Sequence, residues 1–127
     1  MKAPLAWKVY VAFCLTIGLV MFSLVPIGMW LIQIAPDLDP EWMSPRFVQT
    51  IAGMGMGIGA VAAFVNISIL FLPRNPLGWS AHLSNLIVSL SAVVTIPVAA
   101  WLIVQWKTPA VKRYFGVPVE EPPRFLQ

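Results

Sequence analysis

The chain has 127 residues, 59% hydrophobic and 10% charged, with a formal net charge of +3. Eight basic and five acidic side chains are too few to solvate a soluble domain, in which about 25% of residues are charged. The composition points to a membrane and away from a nucleic-acid footprint, since the positive charge flanks the apolar runs and suits acidic lipid headgroups.

At about 20 apolar residues per crossing, the length allows one domain with three or four spans. Residues 1–8 are a short basic lead, in which Trp7 beside Lys8 fits an interfacial anchor. The apolar run 9–34 is longer than a signal core and no A-x-A site closes it, so it reads as a signal-anchor-like first span. Its 26 residues make a helix of about 39 Å. That exceeds the hydrocarbon thickness and predicts tilt or a kink at Pro26. Gly18 and Ser23 leave room for close contacts. Cys14 is the one cysteine, which excludes an internal disulfide or a thiolate cluster. It reads as a small buried hydrophobe.

Residues 35–46 form the acidic loop. Pro36, Pro40 and Pro45 bar a regular helix through it, and Trp42 and Met43 suit the membrane surface. Asp37, Asp39 and Glu41 alternate, but too few oxygen ligands and no turn glycine are present for an EF-hand. A solvated, partner-facing loop is the reading, with no metal.

Residues 47–72 form the second span, free of charge and headed by Ala52-Gly53-Met54-Gly55-Met56-Gly57-Ile58-Gly59-Ala60. Gly53 with Gly57, and Gly55 with Gly59, give two overlapping small-xxx-small patterns, which Ala60 and Ala63 extend. One bare face suits this chain's own helices. The other suits another protein, a lipid or a flat cofactor.

A tight turn at 73–78 carries Arg74, and Trp79 restarts the membrane. Residues 79–106 are the third apolar stretch, interrupted by Pro97 and closed by Trp106-Lys107-Thr108-Pro109. Lys112 and Arg113 lie in a basic–aromatic segment suited to the interface. Residues 117–127 read as an extended proline-rich tail. Pro26-Ile27-Gly28-Met29-Trp30-Leu31-Ile32 faintly echoes Pro97-Val98-Ala99-Ala100-Trp101-Leu102-Ile103, as in repeat-built membrane proteins.

Two rules disagree over the third stretch. A hairpin at Pro97 gathers seven basic residues on one side of the membrane, as the positive-inside rule prefers. Residues 94–98, however, offer no glycine or asparagine for a turn, and bare turn amides at membrane depth are costly. The expected fold is therefore an all-α integral membrane protein with three transmembrane helices, about 9–34, 47–72 and 79–106, the first and third kinked at Pro26 and Pro97. The alternative is four helices with a hairpin at Pro97. Residues 1–116 are expected to form a single transmembrane domain.

No Asp, Glu, Lys or Arg lies deep in a span, which argues against proton relays and acid–base catalysis. His82 is the single histidine. It could give one axial bond to haem or chlorophyll, or rest at the span's mouth as an amphipathic ring. Ser84, Ser91 and Thr95 fall on one stripe of a continuous helix, suited to helix packing or, alternatively, to a narrow path.

The ending Trp106-Lys107-Thr108-Pro109-Ala110-Val111-Lys112-Arg113-Tyr114-Phe115-Gly116 resembles a pattern that closes many uncharacterised small bacterial multi-pass membrane domains. In these a last span precedes a W/L-x-x-P-x-V-K/R-x-Y-F segment. The resemblance covers roughly residues 70–116. It implies a bacterial inner-membrane protein, favours the hairpin, and transfers no activity. The glycines usual at that turn are missing here.

The function expected is a non-enzymatic accessory or structural subunit of a larger membrane protein complex. It docks through Gly53, Gly55, Gly57, Gly59, Ala60 and Ala63 and through the tail, with Trp7, Trp42, Trp79, Trp106, Lys112 and Arg113 as interfacial anchors. Its partners are membrane lipid and other integral membrane subunits, with no nucleic acid and no cofactor. The alternatives are a small oligomeric channel or transporter, and a haem- or chlorophyll-binding redox or photosynthetic subunit using His82.

Overall fold

The computed structural model describes residues 2–41 and 43–120. Every regular element among them is helical. Helix α1 spans Leu5–Ile34, α2 Pro45–Ser68, α3 Pro76–Ser89, α4 Ile96–Trp106 and α5 Pro109–Tyr114. Short 3-10 turns occupy Ala35–Asp37, Ile69–Phe71 and Val93–Thr95. Two stretches, Leu5–Asp37 and Pro45–Phe71, are long and apolar enough to cross a membrane. The chain divides into two compact units: Phe13–Leu70, and Met1–Ala12 with Phe71–Gln127.

In the unit Phe13–Leu70, α1 and α2 pair antiparallel. Ideal Cβ atoms built at Gly18 and Gly28 of α1 meet Ile67 and Met56 of α2, while one at Gly59 of α2 meets Met21 and Leu24 of α1. Shielded positions on α1 include Cys14, Gly18, Met21, Val25 and Gly28; on α2 they include Ala52, Met56, Gly59, Ala63 and Asn66. Steps of three and four residues are the spacing of a coiled-coil seam. The small residues Gly18, Gly28, Ala52, Gly59 and Ala63 among them let the two helices approach closely. Outside the seam both helices carry exposed apolar residues, among them Phe22, Trp30, Ile58 and Phe64.

In the other unit α3 and α4 pack on each other. Residues 79–106 are therefore not one proline-kinked helix. Trp79 Nε1 donates to the Trp106 carbonyl at 3.1 Å, and Trp106 Nε1 donates to the Trp79 carbonyl at 3.2 Å. In one continuous helix these residues would lie about 40 Å apart. The turn falls at residues 90–95, and Pro97 sits in the first turn of α4, where its missing N–H costs no helical bond.

Hydroxyls and 3-10 bonds pair part of this turn's backbone without a glycine. The amides of Leu90, Ser91, Ala92 and Thr95 each bond a carbonyl three residues back. Ser89 Oγ donates to the Asn85 carbonyl at 2.8 Å and Ser91 Oγ to the Val88 carbonyl at 2.7 Å. Thr95 Oγ1 reaches the carbonyls of both Ser89 and Ala92. The expected stripe Ser84, Ser91, Thr95 does not form, since only Ser84 lies within a helix and the other two sit in the turn.

The start of α3 and the end of α5 are also capped. The Asn75 side chain accepts from Gly78 N–H at 2.7 Å at the start of α3, followed by Pro76 at the first position. A Cβ on Gly78 would run into the Pro73 carbonyl oxygen, so glycine is required there. Helix α5 is closed just beyond its end by Gly116, with φ of +67°. Val117 N–H bonds the Lys112 carbonyl and Gly116 N–H the Arg113 carbonyl, the two bonds of a Schellman motif.

Candidate functional site

Two features concentrate polar or unusual surface, one in each unit. In the first, His82 of α3 is fully buried because the hairpin's open end is roofed by α5 and by residues 7–10. Its ring stands among Trp7, Tyr10, Phe115 and Trp106 at centroid distances of 5.2, 5.2, 5.4 and 5.8 Å. Trp7 and Tyr10 meet the imidazole edge-on, the arrangement favoured by ring quadrupoles. Tyr114 packs against both Trp7 and Phe115, and the Arg74 guanidinium lies 4.7 Å from the Tyr114 ring centroid, a cation–π contact.

The polar centre of this cluster is the Tyr10 hydroxyl. His82 Nδ1 lies 3.1 Å from it, and Asn85 Nδ2 donates to it at 3.2 Å. His82 Nε2 is buried with no hydrogen-bond partner, which costs about 1–3 kcal/mol. For haem or chlorophyll to use Nε2, at least one of the surrounding rings must swing away. As built, the imidazole is a packed ring tied at Nδ1 to a tyrosine. Among the described residues no three His, Cys, Asp or Glu side chains come together as a metal site.

Basic residues ring the same end of this unit. Arg74 precedes α3, Lys107 follows α4, Lys112 and Arg113 lie in the last turn of α5, and Lys8 adjoins Trp7. The expected anchors differ in kind. Trp7 and Trp79 are half-buried, whereas Trp106 is fully buried and faces no lipid. Trp106 caps the hairpin instead. Trp42 and residues 121–127 of the tail lie outside the described residues.

In the second feature the glycine run of α2 is split between two faces. Gly59 and Ala63 are buried in the seam with α1; a Cβ at Gly59 would stand 2.5 Å from the Met21 carbonyl oxygen. Around Gly53, Gly55 and Gly57 a Cβ would meet nothing within 4 Å, and Ala60 is exposed. Ser23, Thr50 and Asn66 of the two long helices each bond a carbonyl of their own helix. Ser23 Oγ donates to the Val20 carbonyl, Thr50 Oγ1 to that of Arg46, and Asn66 Nδ2 to that of Ala62.

The sequence reading missed Tyr10, Asn85, Tyr114 and Phe115 as companions of His82. A local signal existed: Trp7 with Tyr10, and His82 with Asn85, are each three apart and share a helix face. Nothing local says that the two faces meet. Comparison with protein families, characterised proteins and solved structures finds no match for the chain.

Proposed function

We propose that the chain is a multi-pass integral membrane protein that serves as a non-catalytic accessory or structural subunit of a larger bacterial inner-membrane complex. It docks on its partner through the Gly53–Gly57–Ala60 face of α2. The observation that carries this reading is the half-used glycine run: Gly59 is closed on α1, while Gly53, Gly55 and Gly57 have nothing within 4 Å. A helix surface bare of side chains lets a second backbone approach closely. Membrane insertion is supported by the apolar windows of α1 and α2, of which only 22% and 17% is buried within the protein. A core helix of a soluble domain is mostly enclosed, and these are not.

The test is photocrosslinking in native membranes. A benzophenone side chain at Ala60 is expected to give one discrete adduct with a second membrane polypeptide, and Gly57→Leu to abolish it while leaving the helix content unchanged. A stable, monodisperse monomer that gives no adduct in its own membrane would count against the reading.

A further inference from the structure

We infer that the α3–α4 hairpin is a re-entrant element: it enters the bilayer from the side carrying the basic residues and returns to that side without crossing. This rests on the membrane reading above and adds to it where the chain's third apolar stretch goes.

Length decides against crossing. From the Trp79–Trp106 bonds to the turn, each limb has about 11 residues and rises about 16 Å, roughly half of a hydrocarbon core. With the tryptophan pair at headgroup level, the turn lies near the bilayer midplane. Charge fits the same placement. No charged residue occurs from 75 to 106; Arg74 and Lys107 stand where the two limbs emerge, with Lys112 and Arg113 following. Glu120 is the one acidic residue among the described residues of this unit. That basic end complements the phosphates of anionic phospholipid.

The tip is built for hydrocarbon. Val93 and Val94 are 80% and 92% exposed within the protein. A turn at that depth is normally barred by its unpaired backbone groups. Here the hydroxyls of Ser89 and Ser91 donate to carbonyls in the last turns of α3, and that of Thr95 to the Ala92 carbonyl within the turn, so part of this backbone is paired without water. The apolar tip suits acyl chains rather than water.

The experiment uses the full chain with single added cysteines at exposed positions: Leu77→Cys and Ala110→Cys at the hairpin's two feet, Val94→Cys at its tip, and Phe64→Cys on α2. Native Cys14 is fully buried and supplies the baseline. A membrane-impermeant maleimide is applied to right-side-out and to inverted bacterial membrane vesicles. Leu77 and Ala110 are expected to label from the same side, and Val94 and Phe64 from neither. A fluorophore carried on Val94→Cys, in phosphatidylcholine–phosphatidylglycerol vesicles, is then expected to be quenched by lipids brominated deep in the acyl chain and not by iodide. Labelling of Leu77 and Ala110 from opposite sides overturns the inference in favour of one span. Labelling of Val94 from the far side means a complete crossing, and from the near side a hairpin outside the bilayer; either overturns it. If Phe64 also labels, the membrane reading itself fails.

Discussion

Gly57 and Gly59 are two residues apart in one helix, yet the same substitution is expected to act on them in opposite directions. At Gly59 an added Cβ stands 2.5 Å from the Met21 carbonyl oxygen and 2.9 Å from Leu24 Cβ, against the 3.4 Å at which ordinary contact begins, a shortfall of about 0.9 Å at the oxygen. A backbone oxygen cannot rotate aside, so α1 and α2 must part, loosening the neighbouring approaches of Gly18 to Ile67 and Gly28 to Met56. Overpacking of this kind costs about 1–3 kcal/mol. At Gly57 the Cβ meets nothing, and alanine gains about 0.5–1 kcal/mol through lower backbone entropy in the unfolded chain. The two variants should therefore differ by about 1.5–4 kcal/mol. Unfolding of the purified protein by sodium dodecyl sulfate in mild-detergent micelles, followed by far-ultraviolet circular dichroism, measures this. Gly59→Ala should unfold earlier than the parent and Gly57→Ala at or beyond it. Equal midpoints, or the reverse order, would refute the assignment of one glycine face to the seam and the other to the outside.

Further variants test the second unit by the same assay. Thr95→Val keeps the branched shape but removes the hydroxyl shared by the Ser89 and Ala92 carbonyls; a loss of about 1–3 kcal/mol is expected, and an unchanged midpoint would mean the turn is satisfied by other means. Gly78→Ala forces a Cβ onto the Pro73 carbonyl oxygen and should cost about 1–3 kcal/mol, whereas Leu77→Ala, at an exposed neighbour, should stay within about 0.5 kcal/mol. Tyr10→Phe removes the hydroxyl that meets His82 Nδ1 and Asn85 Nδ2 and should destabilise by about 1–3 kcal/mol. Combined with His82→Phe it should cost less than the two single losses together, because one of the stranded polar groups is gone; strict additivity would dissolve the coupling.

The glycine run was legible in the sequence as a close-contact surface, but which glycines would close was not. That choice is made by the register of α1, whose own small positions Gly18 and Gly28 face Ile67 and Met56 and so bring Gly59, not Gly57, to the seam. A single helix carries no record of its partner's register. The burial of His82 was hidden for the same reason: its enclosure comes from Trp7, Tyr10 and Phe115, which lie 72 or more residues upstream or 33 downstream in the chain. Trp106 offered the opposite lesson. Its position after an apolar run before a lysine is that of an interfacial anchor, yet its indole N–H is needed by the Trp79 carbonyl and the ring turns inward.

The third stretch carries the larger consequence. Charge counting favoured folding it back, and the cost of bare backbone at depth opposed that. The opposition assumed that glycine or asparagine is the only way to turn. Ser89, Ser91 and Thr95 supply another: a hydroxyl is small, remains beside its own backbone and donates to a carbonyl within six residues. The cluster of hydroxyls around Ala92, just ahead of the helix that resumes at Ile96 with Pro97 in its first turn, is thus a turn signal written without a turn residue. With that backbone cost reduced, the charge distribution decides. Lys2, Lys8, Arg74, Lys107, Lys112 and Arg113 all belong to the unit that contains the hairpin, while Asp37, Asp39 and Glu41 belong to the other. A single crossing at 79–106 would separate Arg74 from Lys107, and the reciprocal bonds between Trp79 and Trp106 hold them together.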